Sequence, residues 1–206
     1  MAEITDVERL RELLGTPTPA AAGKDRDRLT DEHRAFLAAS PFCVLATADA
    51  DGRCDASPKG DPAGSWHVVD DRTIAIPERP GNRRADGWHN VLVNPHVGLL
   101  FLIPGRGDTL RVNGRARLLD DAPYADELVV KGHHPVVILE VAVEQTFFHC
   151  SKAFLRSQLW KPETWHPDAA PSRAEIAHAL ERPDEPLEEI QAYYDESRYS
   201  QGLYRD

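Results

Sequence analysis

The segment Ile74–Pro95, IAIPERPGNRRADGWHNVLVNP, determines how the rest of the chain is interpreted. It begins as an apolar strand, and two prolines and a glycine then end that strand. Asn82 follows, and asparagine is a residue type that often caps the N-terminus of a helix. The spacing predicts a helix over 83–93, which Asn94 and Pro95 end. The segment therefore predicts a strand that leads through a tight turn into a helix N-terminus.

Three arginines, Arg79, Arg83 and Arg84, lie at this junction. Unpaired N–H groups and the helix dipole favour an anion at a helix N-terminus. Guanidinium groups add forked donors that match phosphate oxygens. Since Arg83 and Arg84 diverge by about 100° on a helix, we assign Arg79 and Arg83 to a phosphate and leave Arg84 either beside them or on the surface. The alternative is that all three arginines are a solvated helix start.

Composition and charge argue against several classes of partner. The net charge of −10 over 206 residues disfavours nucleic acid and anionic membranes. The three cysteines are widely spaced and form no CxxC pair, which predicts reduced thiols in a cytoplasmic protein. The first residues lack the features of a secretory signal, and no apolar run approaches the ~20 residues of a membrane span. We expect a cytoplasmic protein that acts on a small molecule.

Short strands joined by tight turns occupy the middle of the chain. FCVLATA at 42–48 is followed by an Asp-Gly turn and a return strand over 53–60, which is a hairpin pattern. Further strands are predicted over 65–70, 73–77, 96–104, 109–119 and 135–150. The strand over 109–119 alternates apolar and polar residues. Helices are predicted over 3–14, 30–40, 83–93, 120–132, 151–160, 172–181 and 187–197.

These elements predict a mainly β protein with flanking helices (α+β), in which about six or seven antiparallel strands form a barrel or sandwich. We divide the chain into three parts. The first is an N-terminal helical segment over 1–41, and the second is a β domain with a closing helix over 42–165. The third is a C-terminal helical extension over 166–206.

Two longer motifs carry a family resemblance. ATADADGRCDASPKGD at 46–61 and FHCSKAFLRSQLW at 148–160 occur in this order around the segment Ile74–Pro95. Residues 1–165 thereby resemble the pyridoxamine 5′-phosphate oxidase-like family of flavin-binding split barrels, and in particular its subgroup of FMN-dependent enzymes. The resemblance implies a six-stranded antiparallel split β-barrel that forms a homodimer and binds FMN at the dimer interface. It implies an FMN-dependent oxidoreductase whose substrate, electron donor and acceptor the sequence does not name.

The resemblance also implies a set of cofactor-binding residues. Those around the flavin phosphate are Arg79, Asn82, Arg83 and Arg84. Those on the second strand, beside the flavin ring and ribityl chain, are Ser57, Pro58 and Lys59. Those that close over the cofactor from the C-terminal segment are Lys152, Arg156 and Trp160. We add Asn90, because it lies seven residues after Arg83 and shares its helix face. The Trp/Arg signature that grips the substrate phosphate in the true oxidase has no counterpart here, so we do not assign pyridoxamine 5′-phosphate as substrate.

Several alternatives remain open at the level of sequence. Trp88 is also typical of a helix core residue, and Lys152 and Arg156 are also typical of a surface around Trp160. The histidines lack partners at metal-ligand spacing, so we predict no metal site. A non-catalytic carrier or sensor that binds flavin, F420 or haem is the main functional alternative. A purely structural β-barrel dimer is the weaker one.

Overall fold

The computed structural model describes residues 3–204 and contains one antiparallel sheet. Its strands are β1 (Phe42–Ala48), β2 (Cys54–Gly60), β3 (His67–Val68), β4 (Thr73–Glu78), β5 (His96–Leu102), β6 (Thr109–Leu119) and β7 (Val137–His149). They lie in the order β2-β1-β5-β6-β7-β4-β3. The mainly β class is confirmed. The predicted count of six is wrong, because β3 adds a seventh strand, and the sheet is not closed into a complete barrel by strand pairing.

Helices precede, interrupt and follow the sheet. They are α1 (Val7–Leu14), α2 (Pro19–Ala22), α3 (Asp31–Ala39), α4 (Asp86–Val93), α5 (Lys152–Ser157), α6 (Arg173–Leu180), α7 (Leu187–Tyr194) and α8 (Glu196–Tyr199). None of these helices is long and apolar enough to cross a membrane. Residues 1–2 and 205–206, at the ends of the two predicted helical segments, lie outside the described residues.

The helix predicted over 120–132 is wrong. Only a short 3₁₀ turn, Ala125–Leu128, forms there. The segment is held by burial rather than by helix formation, because Leu128 is fully buried in a cluster with Ala75 and Ile138. Pro123 and the β-branched pair Val129–Val130 also disfavour a longer helix. This segment covers the sheet face at β4 and β7.

The main core lies on the inner face of the sheet. The alternation predicted for 109–119 is confirmed, since Leu110 and Val112 are fully buried whereas Arg115 and Arg117 are exposed. Gly114 sits where β6 shifts register against β7, and a Cβ there would lie 2.0 Å from the carbonyl oxygen of Ala142. Only glycine allows so close a backbone approach.

The sheet curls until its two ends approach each other. Lys59 on β2 and Glu78 on β4 form an ion pair at 2.8 Å, although their strands lie near opposite ends of the strand order. β2 pairs only with β1 and therefore leaves one backbone edge without a strand partner. The gap between β2 and the end of β4 is where the chain enters α4.

The C-terminal extension forms a small unit with its own core. α6 and α7 pack through Ala174, Ala177 and Ile190. The end of the extension returns to the β domain, where the Tyr204 hydroxyl donates to Asp61 Oδ1 at 2.8 Å. This contact holds the extension at the residue that follows β2, where Asp61 also pairs with Arg79 of the loop after β4.

Candidate functional site

A groove of about 280 Å³ lies between β2 and the N-terminus of α4. β2 presents two chemically different faces because its side chains alternate. Asp55, Ser57 and Lys59 are partly buried, whereas the residues between them are exposed. The groove is lined by Leu45, Asp55, Ala56, Ser57, Pro58, Lys59, Glu78, Asn82, Arg84, Ala85, Asp86, Gly87 and Trp88. It therefore combines the polar face of β2 with the start of a helix.

The N-terminus of α4 has no side-chain cap. The helix begins at Asp86, and its N-cap position is Ala85, whose side chain accepts no hydrogen bond. Within the described residues, the backbone N–H groups of Asp86, Gly87 and Trp88 have no hydrogen-bond acceptor. Three unpaired donors at the positive end of a helix dipole are suited to an anion.

The predicted N-cap, Asn82, is wrong. Its Oδ1 instead accepts a hydrogen bond of 3.1 Å from the backbone N–H of Arg84. Arg83 and Ala85 adopt left-handed conformations, with φ of 62° and 58°. Because of these conformations the helix begins at Asp86, three residues later than predicted. Such conformations cost about 1–3 kcal/mol each in non-glycine residues. The loop is therefore held in a strained form directly beside the groove.

Lys59 is the best-positioned cation in the groove. Its Nζ lies 2.8 Å from Glu78 Oε2 and 4.3 Å from the centre of the Trp88 ring. Only 13% of its side chain is exposed. Trp88 packs against the main core, as is typical of a tryptophan within a helix. It also forms part of the groove wall.

Arg84, and not Arg83, lines the groove together with Lys59. The Arg84 Nε donates to Asp86 Oδ2 at 2.8 Å, and 73% of the side chain is exposed. Arg83 lines a separate cavity. The left-handed turn thus separates the two neighbouring arginines, and it brings Arg84 to this groove instead of Arg83.

Arg79 is not brought to the groove. Its Nε donates to Asp61 Oδ2 at 2.7 Å, and its other nitrogens donate to the carbonyl oxygens of Leu128 and His133 at 2.7 and 3.3 Å. The Arg79–Asp61 pair is nearly buried, with 10% and 2% of the side chains exposed. In this arrangement Arg79 ties the loop after β4 to the 125–133 segment.

Asn90 connects the helix to the sheet. Its Nδ2 donates to Thr47 Oγ1 at 3.0 Å. Nearby, a Cβ at Gly87 would lie 3.3 Å from Asp55 Oδ2, so the helix start approaches β2 closely. Asn90 does not line the groove, and its contact positions the helix that does.

The predicted closing residues lie apart from the groove. Lys152 and Arg156 on α5 are exposed and line none of the groove. Trp160 donates from Nε1 to the carbonyl oxygen of Arg106 at 2.6 Å and stacks on Phe154 at 5.8 Å. Within one chain, α5 therefore packs beside the β5–β6 turn.

Three carboxylates lie in the groove that the sequence patterns did not identify as site residues. Asp55, Glu78 and Asp86 face two cations, and each cation is already paired, Lys59 with Glu78 and Arg84 with Asp86. Alternation along β2 could have identified Asp55, since it shares a face with Ser57 and Lys59. The donors fit a phosphate group, but an incoming phosphate competes with these carboxylates.

The cysteines are unpaired and lie outside the groove. Burial raises the pKa of the Cys43 thiol to about 12, so Cys43 acts as a core residue. Cys54 and Cys150 are exposed. A hydrogen bond from the backbone N–H of Lys152 lowers the pKa of Cys150.

A protein-family model described as pyridoxamine 5′-phosphate oxidase matches residues 29–150. This match covers more than half of the 206-residue chain. The protein therefore belongs to the pyridoxamine 5′-phosphate oxidase family, as the sequence motifs predicted. The match includes the groove and ends before the C-terminal extension. No curated protein sequence matches the chain.

Solved structures with similar folds cover a little over half of the chain. A candidate pyridoxamine 5′-phosphate oxidase from Lactobacillus delbrueckii is 25% identical, with 60% of this chain and 98% of that chain covered and a TM-score of 0.47. HupZ from Group A Streptococcus is 21% identical, with coverages of 58% and 93% and a TM-score of 0.47. An FMN-binding protein from Syntrophomonas wolfei is 13% identical, with coverages of 57% and 88% and a TM-score of 0.43.

Proposed function

We propose that the protein is an FMN-dependent oxidoreductase of this family and that the groove binds the FMN phosphate. The observation that supports this most strongly is the uncapped N-terminus of α4, flanked by Lys59 and Arg84. Family membership makes FMN the first cofactor to test.

Five residues of the groove would hold the phosphate in this proposal. The N–H groups of Asp86, Gly87 and Trp88 would donate to phosphate oxygens, and Arg84 would exchange its contact with Asp86 for the phosphate. Lys59 supplies a second positive charge. Bound FMN would supply the hydride and electron transfer chemistry. The chain contributes binding and orientation, and we assign none of its side chains as a general acid or base.

We propose that the protein forms a homodimer through the outer face of β1, β2 and β5. The register places Val44 beside Pro58 and Leu100, and Ala46 beside Ala56, on one face of these strands. Ala56 and Pro58 also line the groove, so the groove would lie at the edge of this interface. No Asp, Glu, Lys or Arg lies on this face of the three strands. Such an apolar, small-residue sheet face fits a second copy of itself.

We also propose a small-molecule substrate and a cytoplasmic location. The net charge of −10 supports a small molecule over nucleic acid as the main partner.

The function is tested on freshly purified protein. The proposal predicts a two-band flavin spectrum, release of FMN identified by mass, and bleaching of the flavin by NADH or NADPH without oxygen. A flavin that neither nicotinamide reduces in any substrate screen would favour the carrier or sensor alternative. Release of F420 or haem instead of FMN would contradict the cofactor assignment.

A further inference from the structure

A second cavity shares the loop after β4 but has no lining residue in common with the groove. It lies between residues 80–83 and the end of the C-terminal extension, and its volume is about 490 Å³. This size is within the range of small-molecule sites. We call it the C-terminal cavity. The family match at 29–150 includes only one wall of it.

Two arginines line the C-terminal cavity without a carboxylate among the lining residues. Arg83 comes from the loop and Arg198 from α8. Within residues 3–204, neither guanidinium group forms a hydrogen bond or an ion pair. Among the other arginines that the structure describes in the extension, Arg173 pairs with Glu181 and Arg182 pairs with Glu185. In a chain with an excess of ten negative charges, two unpaired cations in one cavity indicate an anion site.

Two tyrosine rings form the aromatic part of the same cavity. Tyr193 and Tyr199 lie 5.7 Å apart in an edge-on arrangement. Their exposed fractions are 45% and 51%. Exposed aromatic rings in a concave surface stack on planar groups of a ligand. The side-chain amide of Gln201, which lines the cavity as well, can donate to or accept from polar atoms of such a ring.

We propose that the C-terminal cavity binds a small anion that carries a planar ring. Nucleoside monophosphates and aromatic carboxylates are the two sources of this chemistry. Arg83 and Arg198 would bind the charged group, and Tyr193 and Tyr199 would contact the ring. This site does not depend on what the groove binds, because the two share no lining residue.

The proposal is tested by calorimetric titration of the full-length protein with AMP, adenosine, inorganic phosphate and 4-hydroxybenzoate. AMP is expected to bind about tenfold or more tightly than adenosine or phosphate, because each of these retains only half of the contacts. Tighter binding of 4-hydroxybenzoate than of AMP would assign the site to aromatic carboxylates. The proposal is wrong if neither AMP nor 4-hydroxybenzoate binds, or if AMP binds no more tightly than adenosine.

Matched variants of the neighbouring residues Arg83 and Arg84, together with one of Arg198 on α8, distinguish the two sites. Arg83→Gln and Arg198→Gln are each expected to weaken AMP binding about tenfold while leaving adenosine binding unchanged. Arg84→Gln, on the groove side, should leave AMP binding unchanged and weaken FMN binding. Unchanged AMP affinity in both cavity variants would overturn the proposal. The proposal would also be overturned if these two variants changed the mass measured by sedimentation and left the affinity for AMP unchanged. That result would assign the cavity to an interface between copies of the chain.

Discussion

Lys59→Met and Glu78→Gln are expected to change the affinity for FMN in opposite directions. The Lys59 Nζ lies 2.8 Å from Glu78 Oε2, with 13% and 23% of the side chains exposed. Both residues line the groove. The lysine charge is therefore shared between Glu78 and any anion that binds beside it.

The magnitudes follow from this pairing. Lys59→Met removes one charge-assisted hydrogen bond, with a net contribution of about 1.5–3 kcal/mol, so FMN should bind about 10- to 100-fold more weakly. Glu78→Gln keeps the acceptor and removes the opposing charge. At roughly 6 Å and an effective dielectric constant of about 20, that repulsion is about 3 kcal/mol. Solvent at a partly exposed carboxylate reduces it to about 1 kcal/mol, which corresponds to roughly fivefold tighter binding.

The assay is titration of cofactor-free protein with FMN at low salt, followed by flavin fluorescence. Arg53→Gln is the control, because Arg53 is 75% exposed and pairs with Asp49 and Asp51 outside the groove. Urea unfolding of each variant checks that the fold is intact. The reasoning is refuted if Lys59→Met and Glu78→Gln move the affinity in the same direction, or if neither changes it by more than twofold.

Three further predictions concern residues outside the groove. Asp61→Asn should lower the free energy of unfolding by about 3 kcal/mol in urea, because Arg79 loses its buried carboxylate; an unchanged midpoint would contradict this. Burial lowers the pKa of His33 below its usual value, so the unfolded chain takes up the proton first and stability should fall as the pH drops through about 6.5. His33→Gln should make that decline shallower, and an identical pH profile would count against the explanation. Ala46→Arg should convert the proposed dimer to a monomer in analytical ultracentrifugation, whereas Ala142→Arg, at an exposed position of β7, should not.

The strands and the polar face of β2 could be predicted from sequence because their signals are local. Alternation over 109–119 correctly indicated which side chains are buried, and the Asp-Gly turn correctly joined β1 to β2. Ser57 and Lys59 lie on the groove side for the same reason of alternation. The family motif at 46–61 includes the residues of β2 that line this groove.

The arrangement of the arginines could not be predicted, because it depends on distant residues and on backbone strain. Arg79 is held by Asp61, which lies 18 positions earlier, and by carbonyl groups about 50 positions later. Two residues in left-handed conformations, Arg83 and Ala85, bring Arg84 to the groove and Arg83 to a separate cavity. No local propensity favours that conformation in an arginine or an alanine.

The central claim is that the N-terminus of α4 holds the phosphate of FMN. The most direct measurement compares FMN with riboflavin, which has the same ring and no phosphate, in titrations of wild-type protein and Arg84→Gln. We expect riboflavin to bind at least about tenfold more weakly than FMN to the wild type, and this difference to narrow in the variant. Equal affinities of the wild-type protein for FMN and riboflavin would contradict the claim.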